Sequence, residues 1–321
     1  MCGIAGELRF DGQPADLAAL ARITHHLADR GPDASGFHSQ GPLALGHRRL
    51  KIMDLDEASG QPMSAPELGL SMVFNGAIYN YPELRAELEA MGYRFHSGGD
   101  TEVLLKGYHA WREALLPRLN GMFAFAIWER DRRQLFLARD RLGVKPLYLS
   151  RTAERLRFAS TLPALLQGGD IDTGINPVAL NHYLSFHAVV PAPHTLLKGV
   201  EKLPPASWMR IDAEGRCEQH TWWQLDYGPR EDERDFGLEE WRDRVLDSLR
   251  DAVTIRQRAA VDVGVLLSGG LDSSLLVALL REAGVERLQT FSIGFADAGG
   301  ERGDEFVYSD LIAQRFATEH H

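Results

Sequence analysis

The second residue of the chain is a cysteine, within the opening sequence Met-Cys-Gly-Ile-Ala-Gly. A small residue after the initiator methionine allows an aminopeptidase to remove Met1, and Cys2 then becomes the N-terminus. Cys2 would carry both a thiol nucleophile and a free α-amine, whose pKa is about 7.7–8.0 in short peptides. Because that amine can act as the general base, the pattern predicts an N-terminal nucleophile. Taken alone, Cys2 could equally be a structural cysteine near a terminus.

Four further segments contain residue types that could complete such a site. Arg49 ends a predicted strand, and its guanidinium can form paired hydrogen bonds with a carboxylate. Asn75 and Gly76 follow an apolar run, and an amide beside a glycine N–H is suited to bind an oxyanion. Asp100 places a carboxylate at a predicted helix N-terminus, and residues 30–33 predict a rigid turn. Each segment alone also fits a surface charge, a hairpin turn or an N-cap.

A second group of chemistry-bearing residues lies at 267–274, with the sequence Leu-Ser-Gly-Gly-Leu-Asp-Ser-Ser. It separates a predicted buried strand (263–267) from a predicted helix (273–283). Glycines let backbone N–H groups approach oxyanions, while the helix N-terminus and the serine hydroxyls add donors. The segment therefore predicts a phosphate-binding loop, although the Gly-Lys-Ser/Thr element of a Walker loop is absent. The alternative is a Gly/Ser turn without function.

Two different patterns of secondary structure position these groups. Residues 1–210 contain short apolar or alternating runs and few long helices, which predicts an α+β domain of stacked sheets with helices outside. The predicted strands are 43–47, 71–74, 123–129, 134–139 and 147–150, and the predicted helices are 16–28, 82–91 and 101–110. Residues 211–238 are predicted to be a linker, because 226–237 are charged and rich in turn-forming residues.

The pattern changes after residue 238. Trp241, Val245, Leu249 and Val253 are four residues apart, which predicts a helix whose apolar stripe packs in a core. Strands and helices then alternate, which is typical of a parallel sheet with crossover helices. The later elements are predicted at 263–267, 273–283, 288–295 and 305–317. Two strands with two or three helices cannot bury both faces of a parallel sheet, so 239–321 are predicted to be the N-terminal part of a truncated domain.

Composition limits the class of protein. The chain has 321 residues, 44% of them hydrophobic, which is enough for more than one domain. A net charge of −10, from 45 acidic and 35 basic residues, argues against a nucleic-acid partner. Cys2 and Cys217 form neither a disulfide framework nor a zinc spacing. With no signal peptide and no apolar stretch of about 18 residues, a cytoplasmic protein without a membrane span is expected.

Together and in this order, the first group resembles the glutaminase domain of class II, N-terminal-nucleophile glutamine amidotransferases, and most closely the asparagine synthetase type. Residues 121–126, 139–148, 193–195 and 202–205 extend the resemblance over most of the chain. The resemblance implies an α+β N-terminal-nucleophile hydrolase sandwich of αββα layers. It implies that a partial α/β ATP-pyrophosphatase domain, similar to the adenine nucleotide α-hydrolases, follows this sandwich.

The resemblance also assigns roles. It implies that Cys2 attacks the side-chain amide of glutamine, and that the Asn75 side chain and Gly76 N–H hold the tetrahedral oxyanion. Arg49 would pair with the α-carboxylate of glutamine and Asp100 with its α-ammonium.

The chain departs from the family pattern at Ala77, where the family usually has a glutamate that helps to hold the amino end of the substrate. The loss of one charged hydrogen bond, roughly 1.5–3 kcal/mol, is expected to weaken glutamine binding. Because the oxyanion pair is intact, the chemistry is still expected.

The second group resembles the pyrophosphate loop of ATP pyrophosphatases that form acyl-adenylates. The resemblance implies that the backbone at Leu266 and Ile293 holds adenine. It also implies that the phosphates are held by Ser268, Gly269, Gly270, Asp272, Ser273 and Ser274. Asp272 is placed to bind Mg²⁺ or to stabilise the loop, so ATP and Mg²⁺ are the expected cofactors.

The resemblances imply an ATP-dependent, glutamine-hydrolysing carbon–nitrogen ligase. Ammonia would pass through a buried interdomain passage to an acyl-adenylate, with aspartate as the default carboxylate acceptor and its pocket beyond residue 321. A narrower resemblance, at 74–77 and 291–306, is to the branch that amidates N-acetylglutaminylglutamine. An uncoupled glutaminase and a non-catalytic paralogue are the alternatives. A homodimer is a candidate assembly because relatives often pair in this way.

Overall fold

The computed structural model describes residues 1–228, 230–294 and 306–321. Contacts within the chain divide it into two compact units, Met1–Asp226 and Tyr227–His321. Among the described residues, no helix combines the length and the apolar character that crossing a membrane requires.

The first unit contains two antiparallel sheets of six strands each. In spatial order, the strands of the first sheet are β10 (Glu201–Lys202), β8 (Tyr148–Arg151), β9 (Arg155–Ala159), β1 (Gly3–Arg9), β3 (Leu43–Arg49) and β2 (Ala34–Gln40). The strands of the second sheet are β12 (Cys217–Thr221), β11 (Ser207–Asp212), β7 (Gln134–Arg139), β6 (Gly121–Glu129), β5 (Leu70–Ile78) and β4 (Met63–Ala65).

Helices cover the outer faces of the two sheets. α1 (Leu17–His26) and α4 (Leu162–Leu166) pack on the first sheet, and α2 (Tyr81–Ala90) and α3 (Asp100–Trp111) pack on the side of the second. A further helix, α5 (Pro177–Ser185), follows α4. The layers are therefore helix, sheet, sheet and helix, which confirms the predicted αββα sandwich.

Alternation along β6 shows how the layers form. Phe123, Phe125 and Ile127 point to the helix side of the second sheet, whereas Ala124 and Ala126 join the core between the sheets. Successive side chains of a strand face opposite sides, so a strand buried on both faces is apolar throughout. This is why residues 123–128 are a continuous apolar run.

The second unit contains a parallel three-stranded sheet. Its strands are β13 (Val265–Leu266), β14 (Gln289–Phe291) and β15 (Glu319–His320), and its helices are α6 (Leu238–Arg256), α7 (Leu271–Glu282) and α8 (Phe306–Arg315). This confirms the predicted alternation of strands and helices, although β15 was not predicted. The predicted stripe on α6 is only partly buried, because Val253 joins the core whereas Trp241 and Val245 are exposed.

Two sequence interpretations differ from the structure in the first unit. Asn75 and Gly76 do not form a hairpin turn, because both lie inside β5 and pair with Ala124 and Phe123 of β6. The predicted boundary at residue 210 falls inside β11, since this strand continues to Asp212 and pairs with β12. The first unit therefore includes the β11–β12 hairpin and extends to Asp226. The strands β1, β2, β4, β9, β10, β11 and β12 were also not predicted; β12, for example, is exposed along its whole length.

Candidate active site

A cavity of about 110 Å³ in the first unit is lined by Cys2, Arg49, Asn75, Gly76 and Asp100, among other residues. These side chains come from four places in the fold: the residue before β1, the end of β3, the middle of β5 and the start of α3. The five glutaminase residues predicted from the sequence therefore surround one space.

The thiol of Cys2 is largely shielded from solvent. Its Sγ accepts a hydrogen bond from the Leu50 N–H at 3.4 Å. Burial raises the pKa of the Cys2 thiol, and the Leu50 N–H opposes this shift only in part. The thiol is therefore protonated at neutral pH, and a nucleophilic thiolate requires a base. In the chain with Met1 present, the Cys2 nitrogen belongs to a peptide bond and cannot supply that base.

The N–H and the carbonyl of Phe74 lie on the edge of β5 that faces away from β6, and both bind side chains. The Phe74 N–H donates to Gln61 Oε1 at 2.6 Å, and the Phe74 carbonyl lies 3.2 Å from His47 Nε2. Burial lowers the pKa of His47 to about 4, so its ring is neutral and donates through Nε2. β4 pairs with β5 only as far as Met72, so this part of the edge is free of strand pairing.

Gly76 occupies the next position on the same edge. Backbone groups two residues apart in a strand point in the same direction. Phe74 donates to Gln61, and Ile78 donates to Asp100 Oδ2 at 2.9 Å, so the Gly76 N–H between them also points away from β6. A Cβ at Gly76 would lie only 2.2 Å from the carbonyl oxygen of Met122 in β6. Glycine has no Cβ and therefore avoids this clash.

Two side chains that line the same cavity have buried donors without partners among the described residues. Asn75 is 1% exposed, and its Nδ2 has no hydrogen-bond partner in the described part of the chain. Arg49 is 4% exposed; its Nη2 donates to the Asp54 carbonyl at 2.9 Å, but its Nη1 has no partner among the described residues. An unpaired buried donor is costly, so these groups suit a ligand that supplies acceptors.

A carboxylate completes the polar lining. Asp100 is the first residue of α3 and is buried, and burial raises the pKa of its carboxyl to about 6, against the hydrogen bond from Ile78. At neutral pH the cavity therefore contains a guanidinium at Arg49 and a carboxylate at Asp100. Opposite charges in one small cavity fit an amino-acid zwitterion. Ala77 also lines the cavity, where it provides a methyl group and no charge.

The sequence interpretation did not assign roles to several other lining residues. These include Asp54, Ser59, Gln61, Met122 and Lys145. Most belong to the loop after β3, and the proximity of that loop to Arg49 in the sequence was the available signal. Lys145 lies in the segment 139–148 that contributed to the resemblance, but its type alone did not indicate a position in the cavity.

The phosphate-binding loop predicted in the second unit connects β13 to α7. Gly270 is the N-cap of α7, and Gly269 has a φ of +79°. A Cβ at Gly269 would lie 2.5 Å from backbone and side-chain atoms of Tyr308, so the loop requires glycine for two reasons. The hydroxyls of Ser268 and Ser273 are 3.1 Å apart.

A cavity of about 200 Å³ lies beside this loop and is lined by Leu266, Ser268 and Ile293, with Phe291 and Phe306. The predicted adenine and phosphate positions are therefore adjacent. The predicted segment 291–306 is only partly visible, because residues 295–305 lie outside the described residues.

Two observations test whether the loop suits a magnesium nucleotide. Ser274 has a buried hydroxyl without a partner among the described residues, in the first turn of α7. Asp272 is exposed in the same turn, and in the described part of the chain no group of three or more His, Cys, Asp or Glu could hold a metal by itself. Mg²⁺ on a nucleotide needs only one or two protein carboxylates, so Asp272 fits this mode of binding.

Comparison with known families agrees with both halves of the chain. A family model described as a glutamine amidotransferase domain matches residues 1–223, and one described as asparagine synthase matches residues 244–321. The chain belongs to the glutamine amidotransferase domain family, and its C-terminal part matches the asparagine synthase family. The resemblance predicted from the sequence is thereby confirmed.

The curated relatives considered next are named as glutamine-hydrolyzing asparagine synthetases. Asparagine synthetase (glutamine-hydrolyzing) 1 of Bacillus subtilis (strain 168) is 39% identical over 302 residues, which are 93% of this chain and 46% of the relative. A putative asparagine synthetase (glutamine-hydrolyzing) of Mycobacterium tuberculosis (strain ATCC 25618 / H37Rv) is 38% identical over 96% of this chain and 50% of the relative. The chain spans about half the length of the curated relatives it matches.

Among solved structures, the fold is similar to that of a glutamine phosphoribosylpyrophosphate amidotransferase from B. subtilis. The TM-score is 0.54, the identity is 16%, and the match covers 99% of this chain and 90% of the other. At this identity the likeness concerns the fold alone, and it agrees with the N-terminal-nucleophile sandwich described above.

Proposed function

We propose that the chain is part of an ATP-dependent, glutamine-hydrolysing amidotransferase of the asparagine synthetase type, and that its first unit releases ammonia from glutamine. The observation that carries this proposal is the cavity in which Cys2, the unsatisfied donors of Asn75 and Arg49, and the Asp100 carboxylate converge. Glutamine has a matching group for each: an amide carbon, an amide oxygen, a carboxylate and an ammonium.

In the first step, Cys2 Sγ attacks the side-chain carbonyl carbon of glutamine. The thiol proton passes to the α-amine of Cys2, which removal of Met1 sets free. This base is needed because burial raises the pKa of the thiol. The electron pair of the C=O bond moves to the oxygen, and the Asn75 Nδ2–H and Gly76 N–H donate to the oxyanion.

In the second step, the tetrahedral intermediate collapses and the C–N bond breaks. The protonated α-amine returns its proton to the leaving nitrogen, so ammonia departs and a γ-glutamyl thioester remains on Cys2. Water then attacks the thioester and gives a proton to the α-amine. The C–S bond breaks, glutamate leaves, and the thiolate takes up the proton.

Within the same proposal, the second unit binds ATP with Mg²⁺. The backbone at Leu266 and Ile293 would hold adenine, and the loop and helix start would hold the phosphates, with Asp272 on the metal side. The nucleotide supplies an adenylyl group that activates a carboxylate toward ammonia. Support comes from the glycine-dependent loop, the unsatisfied Ser274 hydroxyl and the match of 244–321 to asparagine synthase.

Aspartate is the proposed carboxylate acceptor, because the named relatives are asparagine synthetases. N-acetylglutaminylglutamine is the alternative acceptor, and this alternative rests on the sequences at 74–77 and 291–306. A cytoplasmic location belongs to the same proposal, since both cysteines are free thiols.

Glutamate release by this chain tests the first half of the proposal. The wild type, with loss of Met1 verified by mass, is expected to release glutamate from glutamine, and Cys2→Ala is expected to release none above background. Cys217→Ala is the matched control, because Cys217 is an exposed thiol on β12 that takes no part in the cavity. Equal release by wild type and Cys2→Ala, or no release by a processed wild type, would contradict the proposal.

A further inference from the structure

The loop that follows β3 contains Asp54, which contacts both sides of the candidate active site. Its backbone carbonyl accepts a hydrogen bond from Arg49 Nη2 at 2.9 Å. Its carboxylate accepts the Gly98 N–H at 3.1 Å, and it also accepts the hydroxyl of Ser59, which is buried. Asp54 thus joins Arg49 to the segment that precedes α3, although the contacts span 44 residues of sequence.

Asp54 also packs closely against the residues that precede α3. Gly98 and Gly99 lead directly into α3, whose first residue is Asp100. A Cβ at Gly99 would lie 2.9 Å from Asp54 Cβ and 3.1 Å from the Ser59 hydroxyl. The start of α3 therefore rests against Asp54 without intervening side-chain atoms, and a movement of Asp54 would move Asp100.

The Asp54 carboxylate is ionised and accepts three hydrogen bonds from the protein. Burial opposes its ionisation, but hydrogen bonds from Ser59, Asp56 and Gly98 and the charge of Arg49 outweigh burial and lower its pKa. Its Oδ1 accepts the Asp56 N–H at 2.9 Å, and its Oδ2 accepts the other two donors. Because both carboxylate oxygens accept donors from the protein, Asp54 is suited to act through these neighbours.

We propose that Asp54 is a positioning residue that sets the separation between Arg49 and Asp100. The inference rests on the proposed function, in which these two residues bind the α-carboxylate and α-ammonium of glutamine. Both substrate groups are attached to one carbon, so their partners must keep a fixed separation. The thiol and the oxyanion donors are placed by β1 and β5, so Asp54 governs substrate affinity and not the bond-breaking steps.

The test compares glutamine kinetics with the reactivity of Cys2. Asp54→Ala is expected to raise the KM for glutamine at least about 10-fold, the loss typical of a charged hydrogen bond. We expect kcat and the rate of Cys2 alkylation by iodoacetamide, followed by peptide mass, to change less than about threefold. Asp54→Asn, which keeps one carbonyl acceptor, is expected to give a smaller rise in KM.

Glu57→Ala is the matched control. Glu57 is an exposed carboxylate of the same loop, and its side chain pairs with Lys51. Its substitution is expected to leave the KM for glutamine unchanged. The Asp54→Ala effect on KM is also expected to shrink in an Asp100→Asn background, because two residues that act together are not additive.

Protection of Cys2 from iodoacetamide by glutamine separates this inference from the proposed function. A wild type that is protected but releases no glutamate would contradict the proposed hydrolysis. The glutamine concentration needed for protection, compared between wild type and Asp54→Ala, would still measure the effect of Asp54 on binding. An unchanged KM in Asp54→Ala, or equal losses in kcat and alkylation rate, would overturn the positioning role. A wild type that glutamine does not protect would overturn both.

Discussion

Two side chains in the cavity of the first unit have buried donors that make no hydrogen bond within the described residues. Asn75 Nδ2 and Arg49 Nη1 are buried without partners in the described part of the chain. Such a group costs about 1–3 kcal/mol of folding stability, which a core residue of similar shape would avoid. The arrangement is understandable if a ligand supplies the missing acceptors.

The Asn75 side chain gives the first prediction at this scale. Asn75→Ala removes one oxyanion donor and is expected to lower kcat for glutamine about 10²- to 10³-fold, with a small change in KM. Steady-state glutamate release measures both constants. Asn181→Ala on α5 is the control, because Asn181 is exposed, and its kcat should equal that of the wild type. A kcat within a few-fold of wild type for Asn75→Ala would contradict the assigned role.

Asp100 gives a prediction about pH. Burial raises its pKa from 3.8 to about 6, so the carboxylate is charged above that pH and neutral below it. A neutral carboxyl cannot pair with an α-ammonium, so glutamine affinity is expected to fall as the pH decreases through about 6. Calorimetric titration of glutamine into the Cys2→Ala chain between about pH 5 and pH 8 measures this without turnover. Asp100→Asn in that background should bind weakly at every pH, and a steep pH dependence in this variant would refute the assignment.

At the scale of elements, β5 has two different edges. The edge toward β6 is paired along its whole length, from Leu70 to Ile78. The other edge is paired only with the three residues of β4, and side chains satisfy Phe74 and Ile78 beyond it. The Gly76 N–H between these residues is therefore available for a ligand. A short neighbouring strand is the structural origin of the proposed oxyanion site.

A buried ion pair joins elements of the first sheet and gives the next prediction. Arg157 of β9 is 2% exposed and pairs with Glu7 of β1, and it donates to the carbonyls of Gly168 and Gly169 after α4 at 2.8 and 3.0 Å. Arg157→Ala removes the cationic partner of the buried Glu7 carboxyl, which then keeps only the Asp16 N–H at 2.7 Å among the hydrogen bonds described for it. We expect the free energy of unfolding to fall by about 3–5 kcal/mol, measured by urea denaturation.

The matched control for this prediction is Arg132→Ala. The Arg132 side chain is 58% exposed and lies 3.7 Å from Glu129, whose carboxylate has Arg112 and Tyr108 as closer partners. Its substitution is expected to change the free energy of unfolding by less than about 0.5 kcal/mol. If Arg157→Ala is as mild as this control, the ion pair does not stabilise the first sheet.

At the scale of the whole molecule, each unit has its own core. Three hydrophobic clusters lie within Met1–Asp226, and a fourth, around Val253, Val265 and Leu280, lies within Tyr227–His321. Each unit can therefore bury apolar surface with its own residues. This arrangement agrees with the two family matches, which cover different parts of the chain.

Limited proteolysis tests this division. Arg230 and Arg234 are exposed and lie between the two groups of core residues, so trypsin is expected to cut there first under native conditions. Mass spectrometry of the early fragments identifies the site. A chain with both arginines changed to glutamine should be cut more slowly. First cuts inside residues 1–226, in the presence of intact Arg230 and Arg234, would show that the first unit opens more easily than its core suggests.

The chemistry of this protein was largely determined by its sequence. A cysteine after the initiator methionine, an Asn-Gly pair after an apolar run and a Gly/Ser loop before a helix are local patterns, and their residue types fix what they can do. The alternation of apolar residues likewise predicted stacked sheets followed by a parallel sheet. Ala77, the departure from the family pattern, is also visible in the sequence alone.

The tertiary structure alone decided which backbone groups remain free and which side chains hold the site in place. Residue alternation assigns a strand's faces, but it cannot show that β4 stops opposite Met72 and leaves the edge of β5 open at Gly76. Sequence patterns also could not reveal Asp54, because its partner Gly98 is 44 residues away. These features depend on contacts between distant segments, and such contacts form only when the sheets and helices pack together.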